Sequence, residues 1–194
     1  MTGKASASMP DAVRRSVLEG CALPANASAA AAACGFATRF VLRGGADVAG
    51  PIAQAFGVAP PLLPLQARVS GARAALWMSP DEWLLLDEAC EPDLGGRLEA
   101  ALSARPHALI DISHRHCALE ISGDGAARLL NAGVNLDLDL TAFPVDMVVR
   151  TLLAKADIVL WRRAQKRFRV EAARSFGPYV AAILSQAASD QELC

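Results

Sequence analysis

Two short apolar runs, separated by a four-residue polar turn, constrain this chain more than any other feature. Ala108–Ile112 reads as a buried strand, Ser113–His116 as a turn carrying two histidines and an arginine, and Cys117–Ser122 as a second strand. Gly123–Asp124–Gly125 then leads into a helix over Ala126–Asn131. Ser122 is the expected N-cap, and Asp124 falls in the first turn, where the helix dipole favours a carboxylate. Gly133 is placed to end the helix, because glycine accepts the left-handed conformation of a C-terminal cap.

The rest of the chain repeats this spacing. Phe36–Arg43 alternates as a strand with Arg39 and Arg43 on its wet face, and a helix follows at Asp47–Phe56. Pro60, Pro61 and Pro64 force an extended link. Arg73–Met78 and Trp83–Leu86 form a hairpin about Ser79–Pro80–Asp81–Glu82. Both faces of that hairpin are apolar, so either both are covered within the domain or one meets another protein. A helix at Glu91–Ala104 leads into the central unit. Strands at Met147–Ala154, Ile158–Arg162 and Phe168–Ala172 come after it. A last helix carries Phe176, Tyr179, Val180, Ile183, Leu184 and Ala187 on one face. Closely spaced strand pairs between helices predict an α+β domain with antiparallel or mixed sheets, not a doubly wound parallel one.

The expected organisation is an Ala/Ser-rich flexible arm over residues 1–35, one domain over 36–188 and a short tail over 189–194. A formal net charge of −1 argues against a nucleic-acid partner, which normally meets a basic face. No run reaches the roughly 18 apolar residues of a membrane span. Five scattered cysteines without a C-x-x-C pair suit a reducing compartment. A cytoplasmic protein is expected.

Four constellations carry candidate chemistry. Asp111, Ser113 and His114 hold the residue types of a hydrolase triad, but such close neighbours point to alternate sides of a strand. A polar turn accepting backbone N–H groups fits them better. His114 and His116 share a face, yet zinc needs three or four ligands, and Cys117 points the other way with only His107 left elsewhere. Gly123–Asp124–Gly125 lacks the third glycine of a dinucleotide loop, with Arg128 in that place, and Asp124 would repel phosphate. Asp81–Glu82 sits on a hairpin tip that is normally wet, whereas catalytic carboxylates usually need burial to shift their pKa, so a solvated turn fits the pair better. No catalytic residue and no metal ligand is assigned. Trp77, Trp83, Ser113, His114, Arg115 and His116 remain as candidates for a structural role or a partner interface, and no cofactor-binding residue can be named.

Three stretches together carry a family resemblance. Ala75–Leu86 (ALWMSPDEWLLL) is similar to the hairpin of the gamma subunit of heterotetrameric sarcosine oxidase. Asp111–Arg115 with Leu119–Gly123 resembles that family's central segment, and Arg174–Tyr179 the start of its closing helix. The likeness runs in order from about Arg39 to Leu184. It implies a fold like the folate-binding domain of the glycine-cleavage aminomethyltransferase. It also implies a complex that oxidatively demethylates sarcosine to glycine, coupled to tetrahydrofolate. The partners would be alpha, beta and delta subunits, which would hold FAD, FMN, NAD, tetrahydrofolate and zinc while this chain itself binds none. Where aminomethyltransferases place an acidic pair between two strands, this chain has Leu160–Trp161, and Asp157 falls earlier. The expected role is therefore a non-catalytic, assembling subunit. The alternatives are a free-standing folate-dependent aminomethyl transferase and a folate-binding accessory protein.

Overall fold

A hairpin that is apolar on both faces must lie in the middle of something, and in the computed structural model, which describes residues 14–192, it does. Two five-stranded sheets pack face to face, each with a pair of helices on its outer side. The strands are β1 Ala30–Ala33, β2 Thr38–Gly44, β3 Ala67–Ser70, β4 Arg73–Ser79, β5 Glu82–Asp87, β6 His107–Asp111, β7 His116–Ser122, β8 Val148–Leu153, β9 Ala156–Ala164 and β10 Arg167–Ala173. The helices are α1 Ala49–Phe56, α2 Leu94–Leu102, α3 Ala126–Asn131 and α4 Gly177–Glu192. One sheet has the order β3-β4-β5-β2-β6, the other β1-β7-β10-β9-β8. Every ladder is antiparallel.

Period-two alternation explains the layers. On the hairpin, Ala75, Trp83 and Leu85 pack against α1 and α2 through Ile52, Phe56, Leu94 and Leu98. The alternate residues, Leu76, Met78, Leu84 and Leu86, face the other sheet and meet Val148, Val159 and Trp161. On the second sheet, Leu119, Ile121, Leu160, Phe168 and Val170 pack with α3 and α4 through Leu129, Leu130, Val180 and Leu184. Both faces of the hairpin are thus covered inside the domain. Burying a Leu- or Phe-sized side chain this way contributes about 1.5–3 kcal/mol relative to exposure.

Several expectations need correction. The two strands of the central unit do not pair: β6 hydrogen-bonds to β2 in one sheet, and β7 to β1 and β10 in the other. The turn Ser113–Arg115 instead carries the chain from sheet to sheet. Strand β3, hidden behind the proline link, was not legible at all. Ser122 does not cap α3, because it is still paired in the sheet opposite Ala30 and Arg167. Gly125 occupies the cap position without a side-chain hydrogen bond. Nor does Gly133 close the helix in a left-handed cap, since Ala132 with ordinary helical dihedrals ends it.

The arm expected over residues 1–35 falls partly outside the described residues, but its later part is packed. Asn26 Oδ1 accepts the N–H groups of Ser28 and Ala29, closing a turn that feeds β1 onto the edge of β7. Leu18 is buried in the core beside α4. Gly123, with φ of 113°, is required here: a Cβ on it would come within 2.4 Å of the Ser28 carbonyl oxygen. The glycine-rich turn is therefore a seat for the chain that precedes β1, and its resemblance to a phosphate loop has a structural origin.

Candidate functional site

The sheet-to-sheet turn brings the candidate residues to one end of the inter-sheet layer. Asp111 Oδ1 accepts the Ser113 N–H at 2.8 Å, and Ser113 Oγ accepts the Arg39 N–H at 2.9 Å. Both side chains are thus engaged with backbone, in the turn geometry the sequence favoured over a triad. The Arg115 N–H donates to the Ile112 carbonyl, and the Arg115 carbonyl accepts the Arg174 N–H, both at 2.8 Å. The side chains of His114 and Arg115 stand in solvent. His116 is half-buried, and its Nδ1 is enclosed without a hydrogen-bond partner. Burial pushes the His116 pKa down, opposed by Glu171 and reinforced by Arg39, Arg115 and Arg150. Trp83 is elsewhere: fully buried, it donates Nε1–H to the Pro61 carbonyl at 2.7 Å. Trp77 lies opposite it in register and is half-buried on the same helix-facing side.

Beside the turn lies a buried ion network that joins the two sheets. Arg39 on β2 donates to Glu171 on β10 through Nε at 2.8 Å and Nη2 at 3.3 Å. Arg169, two residues before Glu171 and so on the same face, donates Nε–H to it at 2.7 Å. Arg169 also reaches Glu88, just past β5, at 2.5 Å, and Arg163 on β9 holds Glu88 by two contacts at 2.9 and 3.2 Å. Arg39, Arg169 and Glu171 are all at most 2% exposed. Burial alone would raise the Glu171 pKa, but Arg169 and then Arg39 together pull it below its ordinary value. Arg39 therefore does not lie on a wet face as its alternation suggested. The missed signal was the pair Arg169 and Glu171, spaced by two and so on one face of a strand whose alternate positions Phe168 and Val170 are apolar.

A cleft of about 460 Å³ opens against the second sheet, lined by His116, Arg150, Leu152, Asp157, Val159 and Glu171 among others. Arg150 closes one side by pairing with Glu82, which in turn faces Arg43. The buried carboxylate of the cleft is held as an anion by two guanidinium groups, and Asp157 stands in water. Neither is arranged as a proton-transfer group. The hairpin-tip carboxylate Asp81 is also occupied: hydrogen bonds from Ser79 and Arg43 hold its pKa below the ordinary range. Leu160 and Trp161 are both buried, on opposite faces of β9. Among the described residues no group of three or more His, Cys, Asp or Glu is arranged to hold a metal ion.

Fold and site together define a helix–sheet–sheet–helix domain with an aminomethyltransferase-like fold and a buried ion network between its sheets. The aminomethyltransferase T of the glycine cleavage system from Bartonella henselae shares the fold, with a TM-score of 0.63 over 87% of this chain and 55% of that one at 13% identity. The chain belongs to the sarcosine oxidase gamma subunit family, whose profile matches residues 43–190. It is 35% identical over 141 residues to the sarcosine oxidase subunit gamma of an Arthrobacter species, covering 70% of this chain and 68% of that one. The corresponding subunit of Corynebacterium sp. strain U-96 is 34% identical over 122 residues, covering 63% of this chain and 58% of that one. A chain of the heterotetrameric sarcosine oxidase from Corynebacterium sp. U-96, solved with pyrrole 2-carboxylate, superposes with a TM-score of 0.83 at 27% identity. That match covers 91% of this chain and 95% of the other.

Proposed function

We propose that this chain is a structural, non-catalytic subunit of a sarcosine oxidase complex. The complex would demethylate sarcosine oxidatively to glycine, with the methyl carbon passing to tetrahydrofolate. Alpha, beta and delta subunits would hold the flavins, NAD, tetrahydrofolate and zinc, and the assembly would work in the cytoplasm. The observation that carries this reading is the near full-length match to one chain of a heterotetrameric sarcosine oxidase. The ion-paired state of Glu171 supports a role outside the chemistry, because a carboxylate with both oxygens held by guanidinium groups is a weak base. The free-standing transferase has no observation in its favour beyond the shared fold.

Co-expression with candidate flavoprotein subunits, followed by affinity purification through this chain, tests the reading. The expected result is a yellow complex that oxidises sarcosine, and a colourless, inactive chain when it is purified alone. An isolated chain that retained flavin through desalting, or turned over sarcosine unaided, would overturn it.

A further inference from the structure

Half of the large apolar side chains exposed among the described residues lie along one stretch of surface: Leu62, Leu63, Leu65, Val69 and Val145. Leu62 and Leu63 are 54% and 62% exposed. They follow Pro61, whose carbonyl is fixed by Trp83, so the proline link is pinned with its leucines outward. Two backbone bonds then tie the link to the loop before β8. Ala67 N–H donates to the Asp146 carbonyl at 2.8 Å, and Val148 N–H to the Leu65 carbonyl at 2.9 Å, about an isolated bridge between Gln66 and Met147. In this register Leu65 lies opposite Val148 and Ala67 opposite Asp146, so Val145 comes next to the start of β3, towards Arg68 and Val69. Leu65 and Asp146 take φ of 60° and 66°, left-handed values that side chains other than glycine adopt only where the surroundings hold them. Val69 extends the strip along β3, the open edge of its sheet.

We propose that this strip is the surface by which the chain docks onto a different subunit of the oxidase, a deepening that rests on the proposed membership of the complex. Apolar area of this kind, presented by a rigid joint, marks a contact that another protein completes. The occupant is a different subunit because the solved relative is one chain of a heterotetramer, and this chain covers 95% of it. That relative has little chain of its own left to lie across the strip. Exposed Asp146 lies in the joint itself, while Arg68 alternates to the other side of β3. The partner surface is therefore apolar at its centre and basic at its rim.

The test uses the full chain, co-expressed with the flavoprotein subunits and purified through a tag. The double variant Leu62→Asp/Leu63→Asp should recover about tenfold less complex or worse, with the melting temperature of the free chain unchanged. Ile110→Asp, at an equally exposed position on the opposite edge of the same sheet, should assemble as wild type. Full assembly of the double variant, or equal failure of the Ile110 variant, would overturn the docking site. Failure of the wild-type chain to recruit any subunit would instead overturn the membership on which it rests. Amide exchange needs no variant: residues 62–69 and 143–148 should exchange more slowly in the complex than in the free chain. Equal exchange in both would also reject the site.

Discussion

Glu171→Gln removes the one negative charge between two buried guanidinium groups while keeping the shape of the side chain. No cavity opens, so the effect reports electrostatics. In the variant the amide keeps one acceptor oxygen but no charge: Arg169 still has the Glu88 carboxylate, whereas Arg39 is left with neutral acceptors, the amide oxygen and the Ala37 carbonyl. Taking away one partner of a buried pair typically costs about 3–5 kcal/mol, because the remaining charge is stranded out of water. A loss of about 4 kcal/mol is expected. In a chain of this length that lowers the melting temperature by roughly 8–16 °C.

Urea denaturation followed by tryptophan fluorescence gives the free energy, and a double-mutant cycle with Arg39→Met gives the coupling. The double variant should lose less than the sum of the singles, since removing Arg39 also removes the stranded cation. Acid titration adds a sign. The folded chain holds the Glu171 proton more weakly than the unfolded chain, where the group titrates near its ordinary 4.5. The stabilisation is complete above that value and is lost as pH falls through the lower folded one. The Gln variant should therefore lose less stability on acidification than wild type. A loss below about 1 kcal/mol, the range of exposed pairs, or strictly additive singles would refute the argument.

Trp83→Ala should cost roughly 3–5 kcal/mol in the free chain, measured by the same denaturation, since the ring is fully buried against α1 and α2. An unchanged midpoint would show that the site repacks. His116→Gln should flatten the pH dependence of the melting temperature. Burial lowers the His116 pKa, so its stabilisation is present above about pH 6.5 and is lost as pH falls through the folded value. His107 works the other way: the Arg105 carbonyl and then Glu99 raise its pKa, so its contribution is present below about 6.5 and is lost as pH rises through the folded value. Arg115→Ala should leave turnover per bound flavin in the assembled complex within a factor of a few. A loss near 10³-fold, the size seen when an electrostatic donor to a transition state is deleted, would place Arg115 in an active site.

The hairpin β4–β5 was legible because a strand without a wet face has to be covered twice, and only a layered domain or a partner offers that. The choice between them was not legible, since α1, α2 and β8 come from distant parts of the chain. Ala108–Ser122 misled for a related reason. A four-residue turn serves equally well to fold a strand back on itself or to step it into a second sheet, and the alternation of Cys117–Ser122 is the same in both cases. The alanines of β1 offered no pattern, because that strand is held by its ladder to β7 and by the Asn26 turn, which composition does not register.

The ion network shows where reading from one strand stops. Arg39 alternates with apolar residues as a wet-face residue would, and its partner Glu171 is 132 positions away. Alternation reports that a face is polar. It does not report whether that face meets water or a second sheet carrying the opposite charge. Once the sheets are stacked, Asp111 and Ser113, two of the residues that suggested chemistry, are engaged in closing the turn that joins the sheets, and Arg39 and Glu171 hold one sheet against the other. Apolar surface obeys the reverse logic. Leu62 and Leu63 sit in a proline link whose composition reads as a spacer, yet the fold leaves them pinned and uncovered, and a side chain fixed outward without a neighbour is where a partner adds most.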